Sequence, residues 1–152
     1  MEWVIALLAV GCLFFAAQVV VDYLRYRRAI GAERVAVVAD VRKKHSAHAL
    51  TGDLDLADLA RGAEFCGADA LVVTGRHTGH PTSVEDLRAV AGATSLPVLV
   101  GSGTTPENAA AVVPHASGLI VGSALKAGGD WRGALDPGRC EALVAAVRAA
   151  RA

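Results

Sequence analysis

Pro97-Val-Leu-Val-Gly-Ser-Gly-Thr-Thr-Pro-Glu-Asn108 decides how this chain is read. A short apolar run ends in Gly101-Ser102-Gly103, and the next residues carry the signals of a helix start. Thr105 suits the N-cap, Pro106 the first helical position, and Glu107 the positive end of the dipole. The pattern recurs at Leu119-Ile-Val-Gly-Ser123, so two successive apolar runs end in Gly-Ser.

Working outward, the chain reads as strand, loop and helix, repeated four times. Val35–Ala39 is a β-branched run followed by the polar loop Asp40–Gly52. Leu54–Cys66 is helical, with Leu56, Leu59, Ala60 and Ala63 on one face and Gly67 past its end. Ala70–Thr74 is the second strand, and Gly75–Thr82 is its loop. Ser83-Val-Glu-Asp86 opens the next helix as a capping box does. Pro97–Val100 and Leu119–Val121 are the third and fourth strands, and Pro137–Arg151 is a closing helix. Near-continuous apolar strands alternating with amphipathic helices predict a parallel sheet covered by helices. A doubly wound sheet is the rival, but it gives no reason for two successive Gly-Ser strand ends. The expected fold is α/β, a partial TIM barrel: four parallel β/α units forming the C-terminal half-barrel, preceded by an apolar N-terminal helix. The 152 residues fall well short of the roughly 250 of a complete barrel. In that fold the loops after the last two strands often hold a phosphate on glycine-exposed amides. Backbone N–H groups at Gly103 and Ser123, with the Thr105–Pro106 helix start, are expected to do so here.

Composition removes other classes. Fifteen basic and fifteen acidic residues cancel, so no nucleic-acid partner is expected. Cys12, Cys66 and Cys140 are far apart and odd in number, which draws neither a disulfide framework nor a metal site and fits a reducing, cytoplasmic compartment. Residues 1–21 stand apart from the domain at 22–152. Trp3–Val21 is an uncharged run of nineteen residues. It would reach about 28 Å as a helix, against a bilayer core of roughly 30 Å. Arg25, Arg27 and Arg28 follow it, so a spanning helix would leave the domain in the cytoplasm. Two further readings stay open: an apolar helix covering the face of an incomplete barrel, and a signal peptide. Glu2 and the lack of a small-x-small site argue against the last.

Several long motifs, in order, carry a specific resemblance. They are Asp40-Val-Arg-Lys-Lys-His-Ser-Ala-His-Ala-Leu50, Phe65–Gly75, Thr78-Gly-His-Pro-Thr82, Pro97–Asn108 and Ile120-Val-Gly-Ser-Ala-Leu-Lys126, with Gly128-Gly129, Trp131 and Asp136. Together they resemble the second half of the BtpA/SgcQ family domain. The resemblance implies a TIM-barrel relative, and it links the chain to a family associated with photosystem I biogenesis. His80 stands where the family's Thr-Gly-x-Pro-Thr motif is expected to hold an acid, and Cys66 replaces a bulkier apolar residue.

Chemistry is sought at the C-terminal strand ends. Asp40, Lys44 and His45 are the candidate catalytic residues, a carboxylate beside a lysine and a histidine able to supply an acid/base pair. The alternative is a solvated basic loop in which Asp40 pairs with a neighbour. Thr74, Gly75, Gly101, Ser102, Gly103, Gly122 and Ser123 are the candidate ligand-binding residues. His45, His48, His77 and His80 sit on two loops without helical ligand spacing, so no metal and no cofactor is expected. Trp131 is expected to pack over the C-terminal helix. Two function classes follow. One is a protein binding a small phosphorylated metabolite, with catalysis hampered because a lone half-barrel lacks half its loops; the other is a membrane-associated assembly factor. Either way a homo-oligomer or a complementing half-barrel is expected, since four strands leave open edges. If Trp3–Val21 spans a bilayer, the chain stays in the membrane fraction through a carbonate wash, while a chain beginning at Asp22 is released; recovery of the intact chain without detergent supports the covering helix.

Overall fold

The computed structural model describes residues 22–42, 52–75 and 80–152. The expected helix over Trp3–Val21, and with it Lys44 and His45, lies outside these residues. Among the described residues no helix is long and apolar enough to cross a membrane.

Helix α1 covers residues 22–29 and ends at Gly31, whose φ of 67° is the left-handed cap the sequence signals. Strand β1 is Val38–Asp40, three residues later than the Val35–Ala39 run. The cause is tertiary. The Val35 N–H turns back to the Ala32 carbonyl, and the Val37 N–H is captured at 2.6 Å by the Asp69 carboxylate. Helix α2, Leu56–Phe65, starts when Asp55 accepts from the Asp58 N–H at 2.7 Å. Strand β2 is Ala70–Val73. Helix α3, Val84–Ala91, is capped by Ser83, whose hydroxyl accepts from the Asp86 N–H as the sequence predicts. Strand β3 is Val98–Val100. Helix α4, Ala109–Val112, is a single turn followed by a 3-10 turn at Val113–His115. Strand β4 is Gly118–Leu119, extended by the Ile120 N–H donating to the Val100 carbonyl. Helix α5, Pro137–Arg151, has its expected limits, with Asp136 as cap and Pro137 at the first position.

The four strands form one parallel sheet in the order β1-β2-β3-β4. Each strand lies beside its predecessor, so the order never reverses as a doubly wound sheet requires. Alternation then sorts the side chains. Leu71, Val73, Val98 and Val100 face the helices and pack with Ala60 of α2, Leu87 and Val90 of α3, and Val112 of α4. Leu71, Leu87, Val90 and Val100 are fully buried there. The opposite face carries Val38, Asp40, Val72, Leu99 and Gly118 in register. On that side Val38 is 44% exposed and Ile120 51%. Trp131 does not cover the closing helix as expected; it is exposed, with the Arg132 guanidinium stacked 4.6 Å above its ring.

Two carboxylates fasten the N-terminal rim. Asp69 takes Val37 as described and the Arg27 guanidinium at 2.7 Å, tying α1 to the sheet. Glu64, at the end of α2, accepts from the Ser95 and Thr94 hydroxyls and the Ser95 N–H, tying α2 to the turn before β3. The Ser95 and then the Thr94 hydroxyl hold Glu64 below its ordinary carboxylate range. A carboxylate lowered by folding adds stability above its ordinary value of 4.5, and that stability is lost as pH falls through the folded value. Glu64→Gln should therefore be less stable than the parent in urea at pH 7, and the gap should close as the pH is lowered through this range. A gap that persists unchanged into acid would mean that packing, not charge, makes the contribution.

Candidate functional site

Beyond the C-terminal ends of β3 and β4 lies an open cavity of about 810 Å³. Its walls are the loop at residues 101–107, the loop at 120–124, and the first turn of α5 at Asp136, Gly138 and Arg139. Five of the sequence-predicted ligand residues, Gly101, Ser102, Gly103, Gly122 and Ser123, meet on this one cavity.

The glycines serve different ends. A Cβ on Gly103 would stand 2.5 Å from the His80 carbonyl, and its φ is 67°. Gly75 is likewise pressed against the His80 backbone, and a Cβ on Gly101 would meet Val72 and Thr74. These three are required by packing. Gly122 is different: nothing lies within 4 Å of a Cβ built there, and its φ is −119°. The N–H groups of Gly122 and Ser123 have no acceptor among the described residues. The Ser102 hydroxyl donates to the His80 carbonyl at 3.1 Å, so this residue also holds the loop.

The expected helix start at Thr105 takes another form. Residues 106–108 make a turn, and regular helix covers only Ala109–Val112. The Thr105 N–H is bound by the Asn108 side-chain oxygen at 2.8 Å, and the Asn108 amide donates to the Gly103 carbonyl at 2.7 Å. One turn supplies little dipole, and its leading N–H is already used. The longer helix facing the cavity is α5. Asp136 caps it by accepting from the Arg139 N–H at 3.2 Å, and Gly138 and Arg139 line the wall beside it. Glu107 brings negative charge to the same wall; the Thr105 hydroxyl, its own N–H and nearby Arg139 hold it below the usual carboxylate range.

Asp40 and Thr74 form a separate group. The Thr74 hydroxyl lies 3.3 and 3.4 Å from the two Asp40 oxygens, and the Arg42 N–H donates to Asp40 at 3.2 Å. Neither Asp40 nor Thr74 lines the cavity, so the candidate acid/base carboxylate and the candidate anion loops are distinct surfaces. The structure draws in two residues the sequence reading passed over, Thr104 and Arg139. Arg139 had a legible signal: a cation in the first turn of a helix opposes the dipole and calls for a local reason.

A singly wound sheet with its cavity at the carboxyl ends of the strands defines a protein of the (β/α)-barrel type. A profile of the BtpA family matches residues 16–149, and the chain belongs to that family. It is 37% identical over 130 residues to the photosystem I biogenesis protein BtpA of Synechocystis, covering 83% of this chain and 44% of that protein. It is 45% identical over 116 residues to an uncharacterized mitochondrial protein of Caenorhabditis elegans, covering 76% of this chain and 42% of the other. The chain thus spans less than half the length of these relatives. Among solved structures it is similar to dihydrodipicolinate synthase from Thermotoga maritima, with a TM-score of 0.59 and 16% identity over 89% of this chain and 43% of that one. That likeness concerns the fold alone.

The steric contrast between the two loops is testable. Gly103→Ala should cost about 1–3 kcal/mol from its left-handed backbone and more from the contact with His80. Gly122→Ala should cost less than Gly103→Ala, because its Cβ meets no neighbouring atom and its φ is negative. Urea denaturation of the two variants measures this; equal losses would contradict the assignment of Gly122 to open space.

Proposed function

We propose that this chain supplies the C-terminal (β/α)4 half of a BtpA-type barrel and binds a small phosphorylated metabolite at the loops after β3 and β4. One observation carries the reading: the N–H groups of Gly122 and Ser123 are without acceptors among the described residues, at the wall of a cavity shared with Gly101–Gly103. Phosphate oxygens are satisfied by such amides without a charged side chain. In this proposal Asp40, oriented by Thr74, is the acid/base carboxylate, and Lys44 and His45 follow it in the same loop. A closed barrel holds four further strands beside these, which a second copy or a complementing half would contribute. Catalysis then belongs to the completed barrel, and ligand binding to the half described here.

A second reading has its own support. The Synechocystis relative is described as a photosystem I biogenesis protein, so a non-enzymatic assembly role is the alternative for this chain. Ligand binding separates the two. Ser123→Asp places a carboxylate where the anion is proposed to sit, on an accessible loop. Calorimetry with ribose 5-phosphate should show binding by the parent and at least a tenfold loss in the variant, about 1.4 kcal/mol. Equal binding by both proteins, or none by the folded parent, removes the phosphate reading and leaves the assembly role.

A further inference from the structure

We infer that Thr104 and Arg139 are the side chains that hold the ligand's phosphate, and that the site takes a single phosphate on an uncharged, hydroxylated body. This rests on the phosphate reading above and adds residues and a ligand class to it.

Thr104 is the first observation. It is 3% exposed, it lines the cavity, and its hydroxyl is buried with no hydrogen-bond partner among the described residues. Buried hydroxyls are nearly always satisfied, because leaving water without a new partner is costly. Nor is the backbone beside it free to relieve the cost. Asn108 occupies both the Gly103 carbonyl and the Thr105 N–H, which pins the segment on either side. Valine would fill the same volume without the penalty, so the unpaired hydroxyl points to an acceptor in the cavity that it meets by turning about its Cα–Cβ bond.

Arg139 is the second, independent observation. It sits in the first turn of α5, against the dipole, and lines the same cavity. One guanidinium nitrogen donates to the Ala124 carbonyl at 3.1 Å, which steadies the side chain across the mouth. A guanidinium has five N–H donors, so others remain for an anion, and its planar fork suits two phosphate oxygens at once. Thr104, Gly122–Ser123 and Arg139 belong to three different walls of the one cavity, so together they offer donors for several oxygens of one phosphate.

Glu107 sets the limit on the rest of the ligand. Its carboxylate lies on the same wall, held ionised by the Thr105 hydroxyl and by Arg139. Asp136 adds a second carboxylate to the lining, and Arg139 is its one cation among the described residues. With that charge spent on the first phosphate, a second anionic group would meet uncompensated repulsion, whereas hydroxyls could donate to the carboxylates.

Calorimetry on the full chain with fructose 6-phosphate and fructose 1,6-bisphosphate tests each part. Thr104→Val should weaken fructose 6-phosphate binding by at least about threefold and Arg139→Met by about tenfold or more. Thr104→Ser and Arg139→Lys should recover part of each loss. Thr104→Val should also melt at or above the parent temperature, because the hydroxyl makes no bond among the described residues. The bisphosphate should bind at least about tenfold more weakly than the monophosphate. Parent-like binding by folded Thr104→Val and Arg139→Met overturns the inference while the phosphate reading stands. Loss of binding in Thr104→Val with a matching fall in melting temperature, not repaired in Thr104→Ser, assigns Thr104 to structure and overturns its role. Equal affinity for the two sugars overturns the single-phosphate assignment, and no binding of either by the folded parent overturns both readings together.

Discussion

The sheet's carboxyl end depends on one hydroxyl. Thr82 is buried, and its Oγ1 lies 3.3 Å from both the Val73 and the Ser102 carbonyls. A single proton is shared between the ends of β2 and β3, at the level where the ladder bonds run out. The segment carrying it is wedged against the strand ends, with the His80 backbone against Gly75 and Gly103. Three facts follow from that constraint. Gly75 and Gly103 have to be glycine, the Ser102 side chain has to turn inward to bind His80, and the 101–107 loop has to leave β3 at a fixed angle. The cavity wall inherits its position from this clamp.

The two rims of the sheet are built on opposite principles. At the N-terminal rim the acceptors are satisfied within the fold: Asp69 takes Val37 and Arg27, and Glu64 takes Thr94 and Ser95. Both carboxylates are shifted toward the ionised form by these partners. At the C-terminal rim the donors outnumber their partners, since the Gly122 and Ser123 amides and the Thr104 hydroxyl make no bonds among the described residues. The tied rim is not complete either, since the buried Arg27 Nε makes no bond among the described residues, whereas Gly122 is exposed.

Much of the fold was legible because its signals are local. Gly31 and Gly67 end helices in the left-handed region, Ser83 caps α3, and the α5 limits follow from Pro137 and the chain's apolar spacing. The Gly-Ser strand ends meeting at one cavity follow from strand order, which the repeat of β/α units implied. What could not be read was set by partners distant in sequence. β1 begins late because Asp69, thirty-two residues on, takes the Val37 N–H. The Thr105 helix start is displaced because Asn108 takes its N–H. Thr74 looked like a neighbour of the anion loops, yet its hydroxyl belongs with Asp40, one strand away from the cavity. Thr104 looks like any turn residue in the sequence; what distinguishes it is a buried hydroxyl that finds no partner among the described residues.

Strand order has a kinetic side as well. Every ladder in the sheet joins one β/α unit to the next along the chain, and none reaches across an intervening strand. Loop-closure entropy rises only with the logarithm of the span, and each span here is a single unit, so the topology keeps contact order low for a parallel sheet. A chain emerging from the ribosome could add β2 to β1, then β3, then β4, in the order of synthesis. At each stage it would expose one fresh parallel edge, and the next strand to arrive would be the one that covers it.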